Sequence, residues 1–186
     1  MNDKKNNVIN LENTNFIWQT NFAGDPSKDK FGSSLRRASI VIPDIDLAMD
    51  LMDEGFNVRC TRPKDGEEEG FIPRYFANTI IRYDSKRPPK IYLGSEDTPY
   101  ELMNEDTVGE IDECYVLNVD AQINKYYRKD GKKILYVDIL WVTYDNEQDP
   151  YAVKYNKNKY NVNKLAHELD DDSAFELLKL LEERFA

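Results

Sequence analysis

The stretch Cys114–Asp145 alternates apolar and polar residues on either side of Asp130-Gly131. Period-two alternation predicts half-buried strands, and Asp-Gly between two such runs predicts a tight hairpin turn. In the first arm Leu117, Val119, Ala121 and Ile123 share one face, opposite Asn118, Asp120, Gln122, Asn124 and Tyr126. In the second arm the same period puts Leu135, Val137, Ile139 and Trp141 together, opposite Tyr136, Asp138, Leu140, Val142 and Tyr144. Arms this long exceed the usual strand of about five or six residues and suit a small, strongly bent barrel. The turn, with Lys125, Arg128, Lys129, Lys132 and Lys133 beside Tyr126 and Tyr127, reads as a protruding basic tip.

Upstream, residues 1–13 are polar and read as a frayed terminus. Strands are expected at Asn15–Phe22, Arg36–Ile42, Phe56–Arg62, Phe71–Tyr83 and Lys90–Leu93, with loops at Ala23–Ser34 and Pro63–Gly70. Between the second and third strands the period changes. Leu47, Ala48, Leu51 and Met52 fall on one helical face, Asp44 stands at the N-cap and Gly55 at the stop, so a short helix is predicted. Tyr100–Met103 reads as a helical turn, and residues 146–164 as a linker or edge extension. Ser173 and Glu176 form a capping box, and Ala174, Leu177, Leu178, Leu181 and Phe185 make a stripe, which predicts a last helix over 173–185.

The fold class implied is mainly β with short helices, an OB-like β-barrel plus a C-terminal helix, with an open sandwich as the alternative. The domain reading is a flexible 1–13, a barrel over 14–156 and an acidic extension over 157–186.

Composition changes this picture through charge. The 186 residues carry a net charge of −10, which opposes simple electrostatic attraction to nucleic acid. The charge is uneven. His167–Ala186 holds seven acidic and two basic residues, while Arg59–Lys90 holds eight basic and five acidic. An acidic tail beside a locally basic domain is a different object from a uniformly acidic protein.

Chemistry for catalysis is sparse. One histidine, His167, and two cysteines, Cys60 and Cys114, have no metal-ligand spacing, and no phosphate-binding glycine loop occurs. Asp170, Asp171 and Asp172 read as solvated charge more than as a cation site. We therefore expect no metal, no cofactor and no enzymatic activity. No apolar run approaches 18 residues, so a cytoplasmic protein without a membrane contact is expected.

What remains is aromatic residues interleaved with basic ones. Bases stack on aromatic rings at about 1–3 kcal/mol each, and Arg and Lys follow phosphates. The candidate phosphate contacts are Arg37, Arg59, Arg62, Arg74, Arg82, Lys86 and Arg87, with Lys129 and Lys132 at the hairpin tip. The candidate stacking rings are Trp18, Phe22, Phe56, Phe76, Tyr126 and Tyr127. The rival reading gives each ring to the core, where strands favour aromatic residues anyway.

Several segments, in this order, resemble the single-stranded DNA-binding proteins of bacteriophage replication and recombination modules. They are FIWQTNFAG from Phe16, LRRASIVI with Arg37, LAMDLMDEGFNVR, YFANTIIRYDSKRPPKIYL, the DGKK turn, YVDILWVTYD and AVKY. The resemblance spans Phe16 to Tyr155. It implies an OB-like fold that binds and protects single strands without sequence preference. It also implies an acidic C-terminus that recruits replication or recombination proteins and competes with DNA. Asp170, Asp171, Asp172, Leu177, Leu181 and Phe185 are the partner-binding candidates there, and a homo-oligomer is possible. The alternatives are an interaction module that docks its C-terminal helix on a partner, and an inhibitor that mimics the charge of DNA.

Overall fold

The computed structural model describes residues 7–145 and Lys179. The chain divides into two units, 1–146 and 147–186, and every element below belongs to the first. The expectations for 146–164, for the helix over 173–185 and for Asp170, Asp171, Asp172, Leu177, Leu181 and Phe185 lie outside the described residues.

The described chain is mainly β. In order it contains β1 (Val8–Thr14), β2 (Arg37–Ile42), the helix α1 (Ile45–Glu54), β3 (Val58–Cys60), β4 (Tyr75–Ile80), β5 (Lys90–Gly94), β6 (Glu101–Met103), β7 (Val116–Tyr127) and β8 (Lys133–Tyr144). The strands form one open, mixed sheet in the order β1-β7-β8-β4-β2, with β3 against β4, and β5 between β8 and β6. The hairpin β7–β8 is its spine, as the alternating pattern predicts.

One edge of β8 pairs with β7 and the other is shared. Ile80 at the end of β4 pairs with Tyr136, and β5 then takes over from Lys90↔Ile139 to Gly94↔Thr143, both in parallel. The chain thus runs beside β8, leaves after Ile80, bows outward over residues 81–89, and returns three residues further along the same edge.

Two bulges re-phase the hairpin. Leu117 is the extra residue between the pairs Val116↔Tyr144 and Asn118↔Thr143, and Asp138 is extra between Gln122↔Ile139 and Ile123↔Val137. A single inserted residue moves all later side chains to the opposite face. Leu135 and Val137 are buried, but beyond the bulge it is Leu140 and Val142 that are buried, and Trp141 is turned outward at 41% exposure. The strict alternation expected for the second arm therefore fails at Asp138, and Leu117 is exposed for the same reason.

The connecting turn is also looser than a two-residue hairpin. Arg128–Lys132 form the loop, closed by Arg128 N–H donating to the Lys132 carbonyl at 2.8 Å, with Gly131 at φ +85°.

The residues read as frayed include a strand. Ile9 and Leu11 are buried, and β1 pairs antiparallel with β7 from Val8↔Asn124 to Thr14↔Val119. The expected strand Asn15–Phe22 instead runs beside β2 with isolated bridges at Phe16↔Ile40 and Asn21↔Arg37. Glu101–Met103 is a strand, not a helical turn.

The helix α1 forms where its caps dictate. The Asp44 carboxylate accepts from Asp46 and Leu47 N–H at 3.0 and 3.2 Å. At the other end Gly55 takes φ +90°, Gly55 N–H bonds the Met52 carbonyl, and Phe56 N–H bonds that of Leu51. This pair of hydrogen bonds is the Schellman stop, after which Phe56 enters the buried core that also holds Leu51.

Candidate nucleic-acid interface

The outward bow between β4 and β5 carries Arg82, Asp84, Lys86 and Arg87. It starts from a buried anchor, Ile81, whose N–H bonds the Arg36 carbonyl at 3.0 Å, and ends on the buried Pro89. Between these points the basic side chains stand out beside the outer face of the hairpin.

There, Arg82, Lys86 and Arg87 share a cleft of about 620 Å³ with Lys125, Asn124, Tyr126, Tyr136 and the carboxylate of Asp138. The Tyr126 and Tyr136 rings meet edge to face, with centroids 5.7 Å apart. Arg82 Nε donates to Asp84 Oδ1 at 2.7 Å. The hydrogen bond to Asp84, and then that to the Tyr136 hydroxyl, raise the pKa of Arg82 above its usual value. The same bond to Arg82 lowers that of Asp84. Lys86 and Arg87 are exposed and have no ion pair among the described residues. Arg82 and Tyr136 also line a second cleft of about 740 Å³, with Arg36, Asp84, Glu105, Arg128 and Ile134. The two hollows therefore share a wall.

Four of the expected contacts thus come together: Arg82, Lys86, Arg87 and Tyr126. A second group gathers at the β3–β4 pairing. Trp18, 57% exposed, lies edge-on over Phe76 at 6.0 Å, and Arg59 is in register with Phe76. The Arg74 carbonyl accepts from Thr61 N–H, which brings Arg74 close to Arg62. Lys129 and Lys132 are exposed in the hairpin loop.

Three expectations, Phe22, Phe56 and Phe76, are corrected by burial, and two others, Tyr127 and Arg37, prove to be exposed but engaged within the fold. Phe22 is fully buried in the core, 5.5 Å from Phe16, and offers no surface to a base. Phe56 is buried as the anchor of the helix stop, and Phe76 is 7% exposed beneath Trp18. Tyr127 packs edge-on against Phe56, and its hydroxyl donates to Glu54 Oε2 at 2.9 Å. Arg37 pairs with the buried carboxylate of Asp29 while its side chain stays 46% exposed, and that carboxylate also accepts from Phe31 and Ser33 N–H and so folds the loop before β2.

Nor does the hairpin tip protrude freely. Lys125 Nζ lies 3.3 Å from Glu54 Oε1, and Lys133 donates to the Glu54 carbonyl at the negative end of α1. These residues dock the hairpin on the helix.

Tyr136 is the ring that the sequence reading missed. It lies on the polar face of the second arm, where only knowledge of the register could have brought it beside Tyr126. Among the described residues no cluster of histidine, cysteine and carboxylate is placed to hold a metal ion, and no helix is long and apolar enough to cross a membrane. Comparison with family models, curated proteins and solved structures returned no match.

Proposed function

We propose that this protein binds single-stranded DNA without sequence preference, as a non-enzymatic protein, and that its sheet is an OB-like barrel serving that role. The observation that carries the reading is the cleft in which Arg82, Lys86 and Arg87 stand beside the Tyr126–Tyr136 pair, with Asp138 in its wall. Rings give stacking surfaces that any base can use, and the cations match a phosphate backbone. The barrel reading draws support from the segment after β1. Its bonds from Ile17 N–H to Ser39, and between Asn21 and Arg37, bring it against β2 at the far end of the strand order. The resemblance to phage single-strand binders suggests a protective role in replication or recombination.

The net charge of −10 makes a sharp test possible. With two or three phosphates neutralised, the affinity for a labelled dT oligonucleotide should fall with salt at a log–log slope of about −1.4 to −2. Lys86→Glu with Arg87→Glu should weaken binding by about tenfold or more and flatten that slope by about 1.4. Undetectable binding, or binding indifferent to salt and to both substitutions, would sink the proposal.

A further inference from the structure

The Asp138 bulge turns Trp141 outward, where it joins a second group of rings beyond the cleft. On β8 and its neighbour β5, Trp141 pairs in register with Tyr92, and Tyr92 with Leu102 of β6. The Trp141 and Tyr92 rings stack in parallel, 4.0 Å apart and 9° from coplanar. Tyr100 meets the Trp141 ring edge-on at 5.3 Å, and its hydroxyl shares a 2.6 Å hydrogen bond with Thr143 Oγ1. Gly94 makes this arrangement possible, because a Cβ there would fall 2.7 Å from the Tyr100 ring. The inward neighbours Ile91, Leu140 and Val142 already fill the core. The outward rings are not needed to complete it, and Trp141 and Tyr100 keep 41% and 42% of their surface in solvent.

The platform is continuous with the cleft. Arg87 lines both that cleft and a further hollow of about 600 Å³ that reaches Lys90, Leu102 and Ile139. Lys90 is exposed, pairs with Ile139, and precedes Tyr92 by one pleat on the same face. From Tyr136 to Trp141 along β8 is roughly 15 Å, a step a few nucleotides can cover.

We propose that the Trp141–Tyr92–Tyr100 platform is a second stacking subsite, which takes bases of the strand held in the Arg82–Tyr126 cleft after that strand passes Arg87 and Lys90. The inference rests on reading the cleft as a single-strand site. A nucleic acid is the occupant favoured because the platform continues the cleft through Arg87 and Lys90, which offset Glu105 and Asp138 in the connecting hollow, and because the rings are held by one another and lose little freedom on binding.

The test uses the full chain with Trp18→Phe, so that Trp141 is the sole tryptophan. A labelled dT oligonucleotide should bind and quench Trp141 emission in proportion to occupancy. Trp141→Ala should lower affinity by about fivefold to a hundredfold. Tyr100→Phe, which breaks the bond to Thr143 but keeps the ring, should leave the quenching in place. Oligonucleotide binding with unchanged Trp141 emission, or quenching without loss of affinity in Trp141→Ala, overturns the platform and leaves the cleft standing. A dimer in sedimentation that Trp141→Ala dissociates, with DNA affinity unchanged, overturns it in favour of a second copy. No binding at all by the labelled oligonucleotide overturns both proposals.

Discussion

Single residues show why charge and ring counts could not by themselves place the site. Arg37 and Arg87 look alike in the sequence, yet one folds a loop through Asp29 and the other stands in solvent beside the cleft. The difference lies in what the neighbouring chain brings, which a linear reading does not contain. Tyr83 makes a related point. Burial, above all, raises its pKa from 10 to about 12, and its hydroxyl has no hydrogen-bond partner among the described residues. The folded protein then holds the phenolic proton more tightly than the unfolded chain. That contribution is intact below about pH 10 and is lost as pH rises toward 12. Tyr83→Phe should be neutral to stabilising by about 1 kcal/mol at neutral pH, because it removes an unpartnered hydroxyl. Its advantage over the native protein should grow between pH 10 and 12 in urea unfolding, and a constant difference across that range would refute the assignment.

Whole elements were legible where a local cause fixes them. The helix α1 follows from Asp44, Gly55 and an apolar stripe, and the hairpin from two alternating arms. Errors arose where a strand's phase or partner lies elsewhere. A strict period of two cannot anticipate the extra residue at Asp138, so Trp141 was assigned to the wrong face. Polar composition concealed β1, although Ile9 and Leu11 alternate within it and only β7 gives them a place to be buried. The docking of the hairpin on α1 also required the third dimension. Lys125, Tyr127 and Lys133 converge on Glu54, whose side chain is about two-fifths exposed. Glu54→Ala should cost about 1 kcal/mol, since solvent screens part of the pairing but Lys125 is left largely buried. An urea midpoint indistinguishable from that of the native protein would show that packing of Tyr127 on Phe56 holds the hairpin alone.

For the whole molecule, the sign of the net charge conceals a division of labour. Residues 147–186 contain nine acidic and six basic residues, a net of −3, which leaves −7 on residues 1–146 from the total of −10. The binding we propose works against that background through a few exposed cations grouped at one place, and is short-ranged for that reason. A fragment of residues 1–146 keeps every element described above. It should unfold in one transition and bind a dT oligonucleotide at least as tightly as the full chain at low salt. Weaker binding by the fragment would place part of the site in the extension.

The way β4 and β5 share one edge of β8 has a consequence for how such a protein can change. Because the chain rejoins the same track only about 10 Å beyond its exit, the segment 81–89 is a detour and not a bridge. Lengthening it would alter neither strand's partner, and the entropic cost of a longer loop rises slowly. The grip on a single strand that we propose there can therefore be resized or re-coded at that spot while the framework that holds it stays the same.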